Sequence, residues 1–311
     1  MLDTTPVRGV LGFSDYRSPA INLAEVLSVP FMEIGAHRFP DGETRLRLPP
    51  ELPDWIIIYR SLNQPNEKLL ELILAADTAR ELGAQRLTLV APYLCYMRQD
   101  TAFQPGEAVS QRVIGRLLAR RFDDLVTVDP HLHRVRTIEA AVPVEGALAL
   151  SAAGPMAGLI RRELSGATLI GPDEESVQWV ARVAREAGCE YTVARKHRKG
   201  DRDVTIELPM GQFKHRDLVL LDDMVSTGRT LEVLAEGLRS YRPRSISVMV
   251  THALFCGDAL SRLRAAGVSR IWSTDSVIHG SNAIPLASLL AEGVGVVGST
   301  GDRFVQPTES R

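Results

Sequence analysis

The segment of the sequence with the most chemical information runs from Asp217 to Leu231 and reads DLVLLDDMVSTGRTL. An apolar run leads into two carboxylates, Asp222 and Asp223, and then into the turn Ser226-Thr227-Gly228, before a helix predicted to begin near Thr230. Hydroxyl groups, a glycine that lets the backbone approach a ligand, and the N–H groups of a helix N-terminus together favour phosphate binding. The two acids, at the carboxyl end of a strand, could accept hydrogen bonds from sugar hydroxyls or help to hold Mg²⁺.

A helix cap explains part of this pattern, because Ser, Thr and Asp are common N-cap residues. A cap needs one such residue, whereas this segment combines two acids, two hydroxyl residues, a glycine and a further threonine. We therefore favour ligand binding. Arg229 leaves two possibilities open: arginine would strain the loop if its φ has to be positive, or its charge helps to bind the phosphate.

The order of apolar and amphipathic segments predicts the scaffold that positions these residues. Five apolar runs have the length of a strand and lack strict alternation, as expected for strands that helices cover on both faces. They are residues 87–94, 124–128, 168–171, 217–221 and 245–250. Helical periodicity occurs between them, at residues 66–82, 109–118 and 176–187. This alternation predicts an α/β fold with mainly parallel sheets.

A cluster of small residues, ALALSAAGP at positions 147–155, marks a predicted domain boundary. It gives one domain at residues 1–148 and a second at residues 149–311. Each half contains several strand–helix units, although no clean sequence repeat relates the two halves. The tail from Gly295 onward predicts part of a strand followed by a frayed end.

Composition excludes several classes of protein. A length of 311 residues suits two cores better than one, and a net charge of −2 argues against a general nucleic-acid binder. Cys95, Cys189 and Cys256 are far apart and form no CxxC pattern, which favours reduced thiols in a cytoplasmic protein. The sequence shows neither a signal-peptide pattern nor an apolar run long enough to cross a bilayer, so we expect no membrane partner.

Five further segments carry side chains suited to nucleotides, phosphates or metal ions. Each has a simpler explanation when taken alone, as a turn, a surface loop or a helix cap. They are RFPDGE at residues 38–43, PYLCYMRQD at 92–100, VDPH at 128–131, GPD at 171–173 and RKHRK at 195–199. The sequence contains no G-x-x-x-x-G-K-[ST] segment, which excludes a P-loop kinase.

Taken together, the six segments give a specific resemblance to a known family. Residues 217–231 resemble the phosphoribosyl-binding signature of the type I phosphoribosyltransferase fold. The other five resemble, in order and spacing, segments of the ribose-phosphate pyrophosphokinases, which share that fold. The resemblance covers roughly residues 8–292. It implies two tandem type I phosphoribosyltransferase-like domains, the first on the nucleotide side and the second binding ribose 5-phosphate.

The resemblance also implies roles for individual residues. ATP would be bound by Phe39, Asp41, Glu43, Arg98, Gln99 and Asp100. Ribose 5-phosphate would be bound by Asp222, Asp223, Ser226, Thr227, Gly228 and Thr230. The metal site would include His131 and Asp173, and the catalytic cations would be Lys196 and Arg198. His131 is an unusual residue for Mg²⁺, which prefers oxygen ligands, and Asp173 is also a good helix N-cap.

The implied reaction is the attack of the C1 hydroxyl of ribose 5-phosphate on the β-phosphorus of ATP, with AMP leaving and Mg²⁺ as the cofactor. Such a transfer depends on positioning and on neutralising the charge of the phosphates. The resemblance further implies a homo-oligomer, either a dimer or a hexamer, with the nucleotide site near a subunit interface. It implies no nucleic-acid partner.

Three departures from the family pattern keep two other functions open. Thr101 and Ala102 stand where basic residues are common, His197 replaces a frequent arginine, and Arg229 replaces a glycine. A catalytically weak paralogue that binds and regulates an active pyrophosphokinase would tolerate these changes. A phosphoribosyltransferase would need neither the FPDGE nor the RQD segment. Formation of AMP distinguishes the three functions.

Overall fold

The computed structural model describes residues 8–198, 204–209 and 211–301, and it divides the chain into two compact units. One unit contains the residues up to Leu150 together with the segment that begins at Ala287, and the other comprises Ser151–Leu286. Both units have parallel sheets flanked by helices, which confirms the predicted α/β class.

The first unit is built on a seven-stranded sheet. Its strands are β1 (Arg8–Phe13), β2 (Phe31–Arg38), β3 (Thr44–Arg47), β4 (Trp55–Tyr59), β5 (Arg86–Ala91), β6 (Asp124–Val128) and β7 (Gly146–Leu150). Its helices, in the order of the chain, are α1 (Arg17–Leu27), α2 (Pro65–Glu81), α3 (Ser110–Ala119) and α4 (Ile138–Ala141). The strand order is β3-β2-β1-β4-β5-β6-β7, and β3 runs antiparallel to β2 while the other pairs are parallel.

The second unit contains a six-stranded sheet and a separate hairpin. Its strands are β8 (Thr168–Gly171), β9 (Glu190–Val193), β10 (Arg195–Arg198), β11 (Val204–Glu207), β12 (Asp217–Val225), β13 (Ser245–Ala253), β14 (Arg270–Thr274) and β15 (Asn282–Ile284). Its helices are α5 (Ala153–Glu163), α6 (Val177–Ala187), α7 (Arg229–Leu238) and α8 (Ala259–Ala265). The parallel sheet has the order β15-β14-β13-β12-β8-β9, and β10 pairs antiparallel with β11.

The central strands are apolar because both faces of each sheet are covered. Every residue of β4, WIIIY, is buried, and so is every residue of β6, DLVTV. Strands β6 and β8 have the predicted bounds. Strand β12 was predicted to end at residue 221 but continues to Val225, because it goes on pairing with β13 as far as Ala253. Asp222 and Asp223 therefore lie within the strand and not after it.

The chain ends its described part in helix α9 (Ala287–Gly301), so the prediction of a partial strand after Gly295 is wrong. This helix belongs to the first unit, whereas the sequence pattern assigned all of residues 149–311 to a second domain. The guanidinium of Arg86 donates to the carbonyl of Val297 at 2.8 Å and also binds the carboxylate of Asp124 at 2.8 Å. Arg86 thus fastens the last turns of α9 to strand β6.

None of the helices in the part of the chain that the structure describes is both long enough and apolar enough to cross a membrane.

Candidate functional site

The turn Ser226–Gly228 connects β12 to α7 and provides the backbone of the predicted phosphate site. Gly228 is the N-cap of α7 and has φ 72°, a conformation that glycine adopts without steric cost. Arg229 is the first residue of the helix and is not among the residues with positive φ. The strain considered for Arg229 is therefore absent. Its guanidinium instead binds the carboxylate of Glu232 at 2.9 Å.

The carboxylates of Asp222 and Asp223 lie on β12 just before this turn. Asp223 is buried and Asp222 half-buried, and Asp222 accepts a hydrogen bond from the backbone N–H of Asp223 at 3.0 Å. Burial, followed by repulsion from Asp223 and then from Asp173, raises the pKa of Asp222 well above its ordinary value. A cation or several hydrogen-bond donors placed here would relieve that repulsion.

Asp173 approaches these acids because it follows β8, which pairs with β12. Its side chain also caps a short 3₁₀ helix, Glu174–Ser176, by accepting a hydrogen bond from the backbone N–H of Ser176 at 3.2 Å. The capping role considered from the sequence is therefore present. Asp173 also lies close enough to Asp222 to repel its charge. Its role as a metal-site residue remains a prediction.

Of the basic segment at residues 195–199, the described part, Arg195–Arg198, forms strand β10, which pairs antiparallel with β11. The backbone of Lys196 pairs with Ile206, and that of Arg198 pairs with Val204. The side chains of these two predicted catalytic residues, like the whole of residues 199–203, lie outside the part that the structure describes. Their catalytic role remains a prediction.

In the first unit, Phe39, Asp41 and Glu43 lie in the turn of the β2–β3 hairpin. The backbone N–H of Phe39 donates to the carbonyl of Glu43 at 2.8 Å, and Asp41 accepts from the backbone N–H of Glu43 at 3.1 Å. Gly42 has φ 95°. The tight turn that the sequence favours at this segment is therefore present. It also places the Phe39 ring, which is 38% exposed, where an aromatic base could stack.

The RQD segment follows β5, and its three side chains have different surroundings. Arg98 and Gln99 are exposed, whereas the Asp100 carboxylate is buried and accepts from the backbone N–H of Arg134 at 2.9 Å and from its guanidinium at 2.8 Å. Burial alone would raise the pKa of Asp100, but these hydrogen bonds outweigh it and lower the pKa. Asp100 therefore ties this loop to the loop after β6.

His131 lies in the loop after β6, together with a second histidine that sequence reasoning set aside. The Nε2 atoms of His131 and His133 are 2.5 Å apart, and their rings are nearly perpendicular. Asp129, at the start of the loop, has φ 38°. A left-handed backbone at a non-glycine residue is uncommon.

Sequence reasoning also missed Gln111, a buried residue on α3. Its amide donates to the carbonyl of Met97 at 3.2 Å, and its backbone N–H donates to the carbonyl of Gln99 at 3.2 Å. Gln111 thus holds both ends of the segment that presents Arg98. Its position in the helical pattern gave no signal of this contact, because the partner is fourteen residues away.

A cavity of about 550 Å³ lies beyond the carboxyl ends of β1 and β4. Its floor contains Arg60, which is 4% exposed and binds both Asp15 and Glu71. The neighbouring Lys68 donates to Asn63 at 2.7 Å, and burial lowers its pKa. Both cations that line this cavity, Arg60 and Lys68, are paired with its acids Asp15 and Glu71, so we assign no ligand to it.

The predicted site residues are divided between the units: the nucleotide residues and His131 lie in the first, and the sugar-phosphate residues and Asp173 lie in the second. Within the described ranges, no three Asp, Glu, His or Cys residues form a group that could hold a metal ion by themselves. Mg²⁺ commonly binds one or two carboxylates and takes its other ligands from substrate phosphates and water. The metal site expected at His131 and Asp173 therefore remains a prediction.

Comparison with known proteins matches each half of the chain to a different domain model. Residues 10–121 match the N-terminal domain of ribose phosphate pyrophosphokinase, and residues 148–273 match the phosphoribosyl transferase domain. A ribose-phosphate pyrophosphokinase of Methanopyrus kandleri is 36% identical over 276 residues, covering 88% of this chain and 93% of the relative. Ribose-phosphate pyrophosphokinase 2 of Archaeoglobus fulgidus is 33% identical, covering 85% and 92%.

The fold has a counterpart among solved structures. The crystal structure of phosphoribosylpyrophosphate synthetase from Mycobacterium smegmatis superposes with a TM-score of 0.77 at 22% identity, covering 94% of this chain and 99% of that one. Both halves of the chain match domains of this family, and the match covers most of the length of the relatives. The chain belongs to the ribose-phosphate pyrophosphokinase family.

Proposed function

We propose that the chain transfers the β,γ-diphosphoryl group of ATP to the C1 hydroxyl of ribose 5-phosphate, giving phosphoribosyl pyrophosphate and AMP. The observation that carries this proposal is the β12–α7 connection, where Asp222 and Asp223 precede a glycine-capped helix N-terminus. This connection occurs in a chain whose two halves both match the pyrophosphokinase family.

On the sugar side, the turn after β12 would bind the 5-phosphate. The hydroxyls of Ser226, Thr227 and Thr230 and the backbone at Gly228 supply donors at the positive end of the α7 dipole. Asp222 and Asp223 would accept hydrogen bonds from the ribose hydroxyls. This arrangement holds the sugar at both ends and leaves its C1 hydroxyl to be oriented towards the donor.

On the nucleotide side, the exposed ring of Phe39 would stack on adenine, with Asp41 and Glu43 beside the base. Arg98, with its permanent positive charge, suits the ATP phosphates, and Gln99 would assist it. The buried carboxylate of Asp100 is already paired with the exposed guanidinium of Arg134. We therefore propose that Asp100 acts on the nucleotide through the shape of its loop.

Mg²⁺ is the proposed cofactor, and the carboxylate oxygens of Asp222 and Asp223 fit its preference for hard ligands. Asp173 and His131 are the other residues proposed to support it. When bound, the ion would neutralise charge on the phosphates during transfer. The raised pKa of Asp222 fits this role, because a cation is what favours its ionised form.

We further propose that the chain forms a homo-oligomer with the nucleotide site near a subunit interface. Large apolar side chains are exposed on neighbouring turns of α2, where Leu70 is 54% and Leu74 37% exposed, and on α3, where Val113 is 60% exposed. Exposed apolar residues at helical spacing suit a contact with a second copy of the chain. A cytoplasmic location remains the expectation from the sequence.

The direct test is to incubate the purified protein with ATP, Mg²⁺ and ribose 5-phosphate and to measure AMP and phosphoribosyl pyrophosphate by chromatography. We expect both products in equal amounts and only when the sugar phosphate is present. Hydrolysis of ATP without the sugar would contradict the proposal, as would a folded protein that binds ribose 5-phosphate without forming AMP.

The proposed catalytic cations give a second prediction. Lys196→Ala should lower kcat by about a hundredfold or more, because a cation that neutralises charge on the transferred group acts in the transition state. The affinity for ribose 5-phosphate, measured by calorimetry, should change less than about threefold. Lys214→Ala, which lies outside the predicted site, is the control. Loss of sugar-phosphate binding in step with kcat would contradict the assigned role.

A further inference from the structure

The backbone of the turn Ser226–Gly228 is held from one side by groups that follow β13. The Nη2 atom of Arg262, on α8, donates to the carbonyl oxygen of Thr227 at 2.6 Å. The backbone N–H of Cys256 donates to the carbonyl oxygen of Ser226 at 3.0 Å. Two successive carbonyl groups of the turn are thus directed towards α8 and the segment before it.

Because the peptide bond is planar, these two contacts also determine the direction of the N–H groups in the turn. In a trans peptide the C=O and the N–H of one unit point in opposite directions, and the described residues contain no cis peptide. The N–H of Thr227 therefore points away from Cys256, and the N–H of Gly228 points away from Arg262. Successive N–H groups that face one side at a helix N-terminus form a binding site for phosphate.

Arg262 can hold this carbonyl firmly because its own guanidinium is fixed. Its Nε donates to the carboxylate of Glu232 at 3.1 Å, and its Nη1 binds Asp258. The side chain of Glu232 is only 9% exposed and also binds Arg229 at 2.9 Å. The Glu232 carboxylate is thus held by two guanidinium groups, and it in turn fixes the orientation of the Arg262 guanidinium through a charge-assisted hydrogen bond.

We propose that Arg262 is a positioning residue for the 5-phosphate of the sugar substrate. Its planar guanidinium joins Glu232 of α7 to the carbonyl of Thr227, and in this way orients the N–H groups of the turn towards the phosphate. Arg262 acts through the backbone and not by contact with the ligand. This inference rests on the proposed function, because the ligand of the turn is taken to be ribose 5-phosphate.

The test replaces Arg262 by lysine, which keeps the charge but cannot make three directed bonds from one planar group. Arg264→Lys is the matched control, because Arg264 lies on the same helix and donates to the carbonyl of Ser269. For Arg262→Lys we expect the KM and the calorimetric Kd for ribose 5-phosphate to rise about tenfold, as for loss of one charge-assisted hydrogen bond. The KM for ATP and the values of Arg264→Lys should stay within about twofold.

A second variant keeps the test decisive if lysine at position 262 destabilises the fold. Glu232→Gln retains an acceptor for Arg262 but removes the charge that fixes it, so we expect a smaller rise of the KM for ribose 5-phosphate, about threefold. The melting temperature of each variant shows whether it is folded. Recovery of part of the affinity in Glu232→Gln relative to Glu232→Ala would support positioning through this carboxylate.

Two outcomes would overturn the inference. One is unchanged affinity for ribose 5-phosphate in folded Arg262→Lys, and the other is an equal rise in both KM values, which would indicate general disruption. Failure of the proposed function has a different signature, because the wild-type protein would then form no AMP. If that protein still binds ribose 5-phosphate, the calorimetric comparison of the variants tests the inference by itself, and if it does not bind the sugar phosphate, the inference fails too. Measuring the wild type first separates the two cases.

Discussion

In the second unit, burial raises the pKa of two carboxyl groups, those of Asp222 and Asp275, but the neighbours of the two groups differ. Asp222 also has Asp223 and Asp173 beside it, and their repulsion adds to the effect of burial. For Asp275 the largest cause is burial, partly offset by a hydrogen bond from the backbone N–H of Leu286 at 2.9 Å, and its pKa is raised to about 6. The pKa of Asp222 is thus raised by burial and by neighbouring acids, whereas the pKa of Asp275 is raised by burial.

Asp275 gives a prediction about stability and pH. Its pKa is higher in the folded chain, about 6, than the ordinary value of 3.8, so its contribution to stability is present below about pH 4 and is lost as the pH rises through 6. Asp275→Asn should remove this dependence while keeping the oxygen that accepts from Leu286. Relative to wild type, the variant's free energy of unfolding should improve by about 2 to 3 kcal/mol between pH 4 and pH 7.

Urea unfolding at several pH values checks this prediction. Wild type and Asp275→Asn are compared at each pH, so that the titration of all other groups cancels. A difference in the free energy of unfolding that stays constant from pH 4 to pH 7 would show that Asp275 ionises as readily in the folded chain as in the unfolded one.

At the residue scale, the sequence could identify donors and acids but not their protein partners. The spacing of Asp222, Asp223 and Gly228 predicted the turn, because those residues are neighbours in the chain. The contacts of Asp100 with Arg134 and of Thr227 with Arg262 join residues 34 and 35 positions apart. Such pairs depend on which strands become neighbours, and this information is absent from local spacing.

At the scale of elements, helix α9 shows why a local pattern can mislead. Its sequence, ASLLAEGVGVVGSTG, contains valines and glycines that are typical of strands and turns. Tertiary packing overrides that preference, because the glycines let the helix lie against large side chains. A Cβ at Gly298 would meet the Trp55 ring at 2.5 Å, and one at Gly293 would meet Leu150 and Val126 at 2.8 Å.

These glycines supply a matched pair of variants. The Trp55 ring is fixed by the guanidinium groups of Arg8 and Arg86, which lie over it at 4.2 and 4.5 Å, and by a hydrogen bond from its Nε1 to Thr88 at 2.8 Å. Gly298→Ala should therefore lower the free energy of unfolding by about 1 to 3 kcal/mol through overpacking. Gly295→Ala, where nothing lies within 4 Å, should raise it by about 0.5 to 1 kcal/mol because alanine favours the helix.

Thermal or urea unfolding of the two variants under one set of conditions measures both effects. Opposite signs for the two alanine substitutions would confirm that α9 presents one glycine to the sheet and the other to solvent. Stabilisation by both would contradict the packing of α9 on Trp55, and with it the assignment of this helix to the first unit.

The sequence predicted best those strands that are buried along their whole length. Strands β6 and β8 have the predicted bounds because they are fully buried apolar runs. Strand β12 was predicted too short because its last residues, from Asp222 to Val225, include acids, although they still pair with β13. Functional residues within a strand break the apolar pattern, so a strand end is hardest to locate where the site begins.

At the scale of the whole molecule, the chain consists of two α/β units, one with the predicted nucleotide residues and one with the predicted sugar-phosphate residues. The family match covers both units, and the relatives are matched over most of their length. The reaction has two substrates, one that supplies the diphosphoryl group and one whose hydroxyl attacks it. The central claim is that the group transferred from ATP is a diphosphoryl group.

The most direct test incubates the protein with ATP, Mg²⁺ and ribose 5-phosphate and follows the β- and γ-phosphorus atoms of ATP by ³¹P NMR. We predict that both phosphorus atoms appear together as a diphosphate on C1 of the sugar phosphate, with one AMP released for each sugar product. Transfer of the γ-phosphate alone, with ADP as the second product, would contradict the account.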